Sequence, residues 1–391
     1  MFKSKSNGLI VKTEMHSYIN RSADTKDSPL VSNLSSQSPI SKLYSPVPDK
    51  FPSLAIQKLS GSTFSHKKTL KIESIYTDPS KVLLKKYGKV RVLAANTSAG
   101  PMKIKNHDRA KIVLNIKRPE NFFNDTWPSS AFFAVYGGHG GKRCAEYLKG
   151  SLHNFVFEDG EFPYNPRNSL TNAYLKADLK FNRIAEDEND FSGSCALVTL
   201  IIGDKCFVAN AGDSKAILSV DSGQTVISLS NEHKPLNETE HKRILKYGGE
   251  LKSSYIIDSK GYKIEKGSYK IIPGNIPISR SIGNIHAKLE KLGGNPKIHI
   301  PDPEIKSFKI HDNYDFILMC SFGILENLSI KEAVEYVWQG ILECESESIQ
   351  DKIANGLSTL MNEAVSLRCE DNITVIIIGF KNLIDSCRNI A

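Results

Sequence analysis

Between Cys195 and Ser230 the sequence runs "CALVTLII", Gly203-Asp204, "KCFVANA", Gly212-Asp213, "KAILSV", Asp221-Ser222-Gly223 and "QTVISLS". Short apolar runs rich in β-branched residues, separated by turns of only a few residues, leave no room for a crossover helix, so these segments must lie antiparallel to one another. The expectation is a succession of hairpins. "AFFAVY", "YDFILMC" and "NITVIIIGF" add further strands of the same texture.

Helical periodicity interrupts the strands. In "KRCAEYLKGSLHNFVF", Cys144, Leu148, Leu152 and Phe155 recur three or four residues apart, and a second pattern runs from Asn168 to Glu186 through Leu170, Tyr174, Ala177, Phe181 and Ile184. Each marks one buried helix face. "SIKE" is a capping box, with Ser329 as cap and Glu332 three residues later, and another helix is expected from Ser348 to Val365. Helix pairs between runs of hairpin strands predict an α+β protein whose helices cover packed sheets.

Composition limits what such a protein does. A chain of 391 residues, 40% hydrophobic and 24% charged, can bury a large core. No stretch reaches the roughly 20 apolar residues that span a bilayer, and "MFKSKSNGLI" lacks the apolar centre of a secretory signal. The expected location is the cytoplasm, the nucleus or both, with no membrane partner. Seven cysteines, scattered and never in a CxxC pair, argue against a disulfide scaffold and a zinc knuckle, and are expected to be reduced and mostly buried. The net charge of +8 comes from lysines that read as spread along the chain without interleaved aromatic residues, which predicts a solvated surface and no nucleic-acid partner. Residues 1–85, rich in Ser, Lys, Pro and Asn, read as a disordered arm carrying the pairs Ser28-Pro29, Ser38-Pro39 and Ser45-Pro46. A domain over 86–382 and a tail over 383–391 complete the expected organisation.

The chemistry centres on "GGHGG", residues 137–141. Glycines let backbone amides approach an anion at a helix start, but the spacing fits neither GxGxxG nor GxxxxGK[ST], so nucleotide binding of those kinds is not supported. The wider pattern is more specific. "FFAVYGGHGG", "GSCALVTLIIGDKCFVANAGDSKAIL", "LSNEHKPLNETEHKRILKYGGEL", "IPISRSIGN", "DFILMCSFGILENLS" and "EDNITVIII" follow one another as the motifs of the PPM-type (protein phosphatase type 2C) metal-dependent serine/threonine phosphatases do, and the chain resembles that family from Val90 to Phe380. The resemblance implies a four-layer α-β-β-α sandwich, two antiparallel sheets flanked by helices, with a metal site at one end. It also implies Mg²⁺ or Mn²⁺ as cofactor, because hard divalent cations take oxygen donors and a metal pair both acidifies a water and clamps the phosphate.

Residue by residue, the resemblance is incomplete. The family's Asp-Gly-His-Gly-Gly places its metal-bridging aspartate at Gly137; the glycine whose carbonyl joins one ion is Gly138, and the histidine that can protonate the leaving group is His139. A second direct ligand, from Ser-Asp-Gly-Leu-Trp-Asp, falls on Phe322. The aspartate of Asp-Asn-Ile-Thr-Val survives as Asp371, an outlying ligand as Asp213, and a water-mediated ligand as Asp108. The phosphate-gripping arginine becomes Lys103, which keeps the charge without the bidentate fork; the glutamate of that motif becomes His107, and a later Gly-Asp becomes Gly283-Asn284.

Two lost carboxylates remove about two negative charges from a site meant for a pair of divalent cations. The expectation is a pseudophosphatase with weak or no Mg²⁺ or Mn²⁺ binding, acting on phosphoserine or phosphothreonine proteins as a binding or regulatory module, or engaging the partner of an active phosphatase. Two other readings are carried: an active enzyme using Asp108, Asp213 and Asp371 around one ion with His107 as substitute ligand, and phosphopeptide binding by Lys103, Arg109 and the glycine turn. Phe322 is expected to plug the former ion cavity. Glu240 and Arg243 are expected to form a surface ion pair, and the tyrosines Tyr255, Tyr262 and Tyr269 to pack in a hairpin flap.

Overall fold

The computed structural model describes residues 80–117, 127–253, 255–257, 263–265 and 268–389. In chain order the main elements are strands β1 (Lys81–Tyr87), β2 (Val90–Ser98), β3 (Arg109–Val113) and β4 (Ser130–Tyr136), then helices α1 (Arg143–Phe157) and α2 (Pro166–Asp187). Strands β5 (Ala196–Ile202), β6 (Lys205–Ala211), β7 (Lys215–Val220) and β8 (Thr225–Ser228) lead to α3 (Glu238–Lys246). The remainder supplies β9 (Glu304–Lys309), β10 (Tyr314–Cys320), α4 (Ile330–Leu342), α5 (Ile349–Ser366), β11 (Ile373–Gly379) and α6 (Lys381–Asn389). One antiparallel sheet has the order β1-β2-β11-β10-β7-β8 and the other β9-β6-β5-β4-β3.

The continuous apolar runs are explained by burial on both strand faces. In β4, Phe132, Ala134 and Tyr136 pack beneath α1 and α2 with Leu148, Leu152, Tyr174 and Phe181, while Phe133 and Val135 face the opposite sheet with Leu218, Ile317 and Ile376. On the far side, Phe316, Leu318, Val375 and Ile377 pack under Val334, Val337, Leu357 and Leu360 of α4 and α5. These three apolar interfaces make the α-β-β-α sandwich that the sequence predicts. At about 1.5–3 kcal/mol per fully buried large side chain, they supply most of the stabilisation. Of the seven cysteines, all free, six are buried and Cys344 is half-buried.

Helix ends follow their caps. Ser329 Oγ accepts the Glu332 N–H at 3.2 Å, and the Glu332 carboxylate accepts the Ser329 N–H at 2.8 Å. Pro166 opens α2 at its first turn behind the Asn165 cap, which sets the start two residues before the expected Asn168.

Four readings need correction. The Gly212-Asp213 turn is not a hairpin: β6 lies in one sheet and β7 in the other, so this segment carries the chain from sheet to sheet. The ordered domain begins before residue 86, because β1 starts at Lys81 and pairs with β2. The expected tail over 383–391 contains most of α6, whose Leu383, Ile384 and Cys387 are buried. Of the expected arm, residues 1–79 and all three Ser-Pro pairs lie outside the described residues. So do Tyr262 and the side chain of Tyr255, although the flap backbone does pair as strands Tyr255–Ile257 with Lys263–Glu265 and Glu250–Lys252 with Lys270–Ile272.

The fourth correction concerns Glu240, which is 1% exposed rather than on the surface. Its carboxylate meets Arg280 at 2.6 Å and Arg243 at 2.8 Å, and accepts the Ser279 hydroxyl. Burial by itself would raise its pKa, but the hydrogen bonds from Arg280, Arg243 and Ser279 outweigh that and bring it down to about 2. A depressed carboxylate pKa contributes stability above the ordinary value, lost as pH falls toward the folded one. Glu240→Gln, which strands two arginines, is expected to cost about 3 kcal/mol in urea unfolding at pH 7. The difference from the parent chain should shrink as the pH is lowered below about 4.5.

Candidate functional site

Antiparallel pairing brings one set of strand ends together. Cys320 at the end of β10 faces Val375 near the start of β11 and Lys215 at the start of β7, while Arg109 at the start of β3 faces Tyr136 at the end of β4. The crossing at Gly212-Asp213 joins the two groups. Asp108, the glycine turn, Asp213, Phe322 and Asp371 therefore all lie at or next to strand ends on the same rim of the sandwich.

The glycine turn is held by close backbone packing. Gly138 pairs antiparallel with Ser194, and a Cβ there would stand 2.3 Å from the His107 carbonyl oxygen, so only glycine fits. Gly137 is different. A Cβ at that position would meet Cys195 at 3.5 Å, Ser214 at 3.6 Å and an Asp108 oxygen at 3.9 Å, all ordinary contacts. A Cβ is therefore accommodated at Gly137, next to Asp108.

Each remaining carboxylate already has protein partners. Asp108 is 4% exposed and accepts the Thr374 hydroxyl at 2.9 Å, a bond that ties the two sheets together. Burial raises its pKa to about 6, against the lowering effect of hydrogen bonds from Ser321, Thr374 and the Gly138 amide. Asp213, half-buried, accepts the Cys195 thiol at 3.2 Å; burial raises its pKa, with the Cys195 bond and the charge of Lys234 opposing. Asp371 lies 3.4 Å from the Lys103 ammonium and accepts its neighbour's amide, Asn372 N–H, at 2.8 Å. Among the described residues, no three His, Cys, Asp or Glu side chains are grouped to share a metal ion.

Cations occupy the surroundings. Lys103 pairs with Asp371 itself, and Lys234, bonded to Glu232 at 2.6 Å, places its ammonium 5.1 Å from the centre of the Phe322 ring. Phe322 opens the short helix Phe322–Leu325 and is half-buried, so it serves as the apolar face of a cation-π contact rather than as a sealed plug. Arg109 is not available to an anion as the sequence suggests. Its Nε donates to Glu146 at 2.6 Å and its terminal nitrogen to the Asn106 and Asp108 carbonyls, which fixes the loop before β3. His107 has its backbone N–H on the Asn372 side chain at 2.8 Å, and burial, then Lys103 and Arg109, lower its pKa.

His139 sits 2.8 Å from the Asn284 side-chain oxygen through Nε2. The same oxygen accepts the Ser281 hydroxyl at 2.7 Å, and Ser281 lies 2.7 Å from His299 Nε2. Asn284 adopts the left-handed backbone conformation, φ 59°, which asparagine tolerates better than most residues. A neutral amide therefore stands where the family pattern has a carboxylate, and it ties one edge of the imidazole to the protein.

Sequence reading missed two residues of this rim. Asn372 clamps the loop that carries Lys103 and His107, donating to the Ala99 and Lys105 carbonyls at 2.8 and 3.1 Å; its position beside Asp371 in "EDNITVIII" was the available signal. Lys234 in "EHKPL" carried none, because its approach to Phe322 is purely tertiary.

Comparison with known proteins identifies the family and the fold. The model of the family described as Protein phosphatase 2C matches residues 105–373. Protein phosphatase 2C homolog 2 of Hypocrea jecorina is 30% identical over 281 residues, 71% of this chain and 60% of that protein. Probable protein phosphatase 2C 22 of Arabidopsis thaliana is 28% identical over 253 residues, 64% and 58% respectively, so the chain spans about three-fifths of the length of these relatives. The fold matches that of serine-threonine phosphatase 2C from Toxoplasma gondii with a TM-score of 0.58 at 18% identity, covering 78% of this chain and 99% of that one. A C. elegans sex determining protein gives 0.62 at 18% identity, with 78% and 68% covered. The chain belongs to the protein phosphatase 2C family.

Proposed function

We propose that this family member is a pseudophosphatase, a phosphatase fold whose rim no longer holds a metal pair and which serves as a phosphoprotein-binding or regulatory module. The observation that carries the reading is the Lys103–Asp371 contact at 3.4 Å, which sets a protein cation against the one direct carboxylate ligand that remains. Gly137 and Phe322 offer no anion, and Lys234 adds a second positive charge over the Phe322 ring. Such a donor set does not fit two divalent ions, which need several hard oxygen ligands in common. Phosphate on a partner's serine or threonine suits the same cations, with Lys103 and Lys234 acting as point charges in place of the metals.

The test is calorimetric titration with Mn²⁺ alongside turnover of a chromogenic phosphate ester. The parent chain is expected to show no metal binding in the micromolar range and turnover at least about a thousandfold below an active family member assayed in parallel. Gly137→Asp combined with Phe322→Asp is expected to gain Mn²⁺ binding. Turnover at family rates by the parent chain with Mn²⁺ bound, even a single ion, would instead establish the active enzyme built on Asp108, Asp213 and Asp371 with His107 as substitute ligand.

A pH-linked result follows from Asp108. Its raised pKa means that stability falls as pH rises from about 4 through about 6, since the folded state then has to ionise a carboxyl that the unfolded chain ionises more readily. Asp108→Asn is expected to stabilise the metal-free protein by up to about 3 kcal/mol at pH 7.5. Thermal melts at about pH 4 should show no such gain.

A further inference from the structure

Positive charge is concentrated at one side of the sandwich rather than spread, as the sequence first suggests. Residues 80–117 contain ten Lys or Arg and a single acidic residue, Asp108, in a chain whose total is +8. β1 ends one sheet and β3 ends the other, and between them lies a groove of about 310 Å³ lined by Lys81, Leu83, Leu93, Ala95, Ile112 and Leu114. Leu83, within this groove, is 48% exposed. Among the described residues, no strand pairs with the outer edge of β1, and no carboxylate forms an ion pair with Lys81, Lys85, Lys86, Lys111 or Lys117.

We propose that this groove binds an extended segment of a partner protein with alternating acidic and bulky apolar side chains, added as a strand to the free edge of β1. The backbone edge supplies unused N–H and C=O groups, the leucines and Ile112 take the apolar side chains, and the lysines take the carboxylates. Charge selects this occupant over the two nearest alternatives. A second copy would oppose lysine to lysine along β1, an arrangement that edge strands use to prevent self-pairing. The chain's own first 79 residues hold eleven Lys or Arg against six Asp or Glu, and so are a poor electrostatic match. The groove is lined by residues of β1, β2 and β3 and by Leu114 just after β3, none of which is among the carboxylates or glycines of the rim, so the proposal stands or falls independently of the metal question.

The experiment uses the full chain and a fluorescent peptide of about eight residues alternating Leu and Glu, with a Leu-Lys peptide as control, read by fluorescence polarisation. The Leu-Glu peptide is expected to bind at least about tenfold more tightly than the control. Its binding should weaken as NaCl is raised from about 50 mM to about 500 mM, and should fall at least about tenfold in the variant Lys81→Glu, Lys85→Glu, Lys86→Glu. A photo-crosslinker in the peptide is expected to label β1 or β3, a readout that does not depend on any variant folding. Equal binding of both peptides, indifference to the three replacements, or labelling elsewhere would overturn the proposal. So would finding in the free chain that residues 1–79 already cross-link to Leu83.

Discussion

Three dry interfaces stacked in one domain impose the constraint on which everything else rests. With helices outside and sheet against sheet inside, the central strands have no solvent face, so polar side chains are displaced to strand ends. β4 is buried along its whole length, and its chemistry begins only where it stops, at Gly137. The same holds for β10 and β11, whose ends bring Phe322 and Asp371 to the rim. A site at one end of the sandwich is thus a consequence of how the core excludes water.

The charge balance at the rim is a matter of local electrostatics. An active member of the family neutralises clustered carboxylates with cations drawn from solution. This rim sets cations of its own chain at its mouth, Lys103 beside Asp371 and Lys234, paired with Glu232, beside Phe322. The Lys103–Asp371 pair is exposed and contributes under about 1 kcal/mol to folding. Its importance lies in the sign of the field at the mouth. Asp108 shows the other side of the same change, a carboxylate kept in the interior by the Thr374 hydroxyl and neighbouring donors.

Strand and helix periodicity and the Ser329 capping box were enough to read an α+β protein with helices over packed sheets, because each depends on neighbours only a few residues apart; the four-layer sandwich was implied by the family resemblance that the collinear motifs carry. Counting along the motifs also located Gly137 and Phe322, and the structure sets both on the rim beside Asp108 and Lys234. Errors arose where the answer depends on distant partners. Gly212-Asp213 has the composition of a hairpin turn, and only the pairing of β7 with β10 shows that it crosses between sheets. Glu240 and Arg243 look like an ordinary helix-surface pair until Arg280 and Ser279 close over them. Arg109 reads as a free cation until Glu146 on α1 engages it.

The position of β11 in the sheet order has a consequence for how the protein is made. This strand lies between β2 and β10 and pairs Val92 with Gly379, so it joins segments far apart in the sequence and must dock before its sheet is complete. Until then β1 and β2 have no inner neighbour, and the leucines and valines of half the sandwich stay wet. Contacts so far apart in sequence favour slow folding and prolonged exposure of sticky surface. Folding intermediates in which β11 has not docked should be the species that chaperones bind.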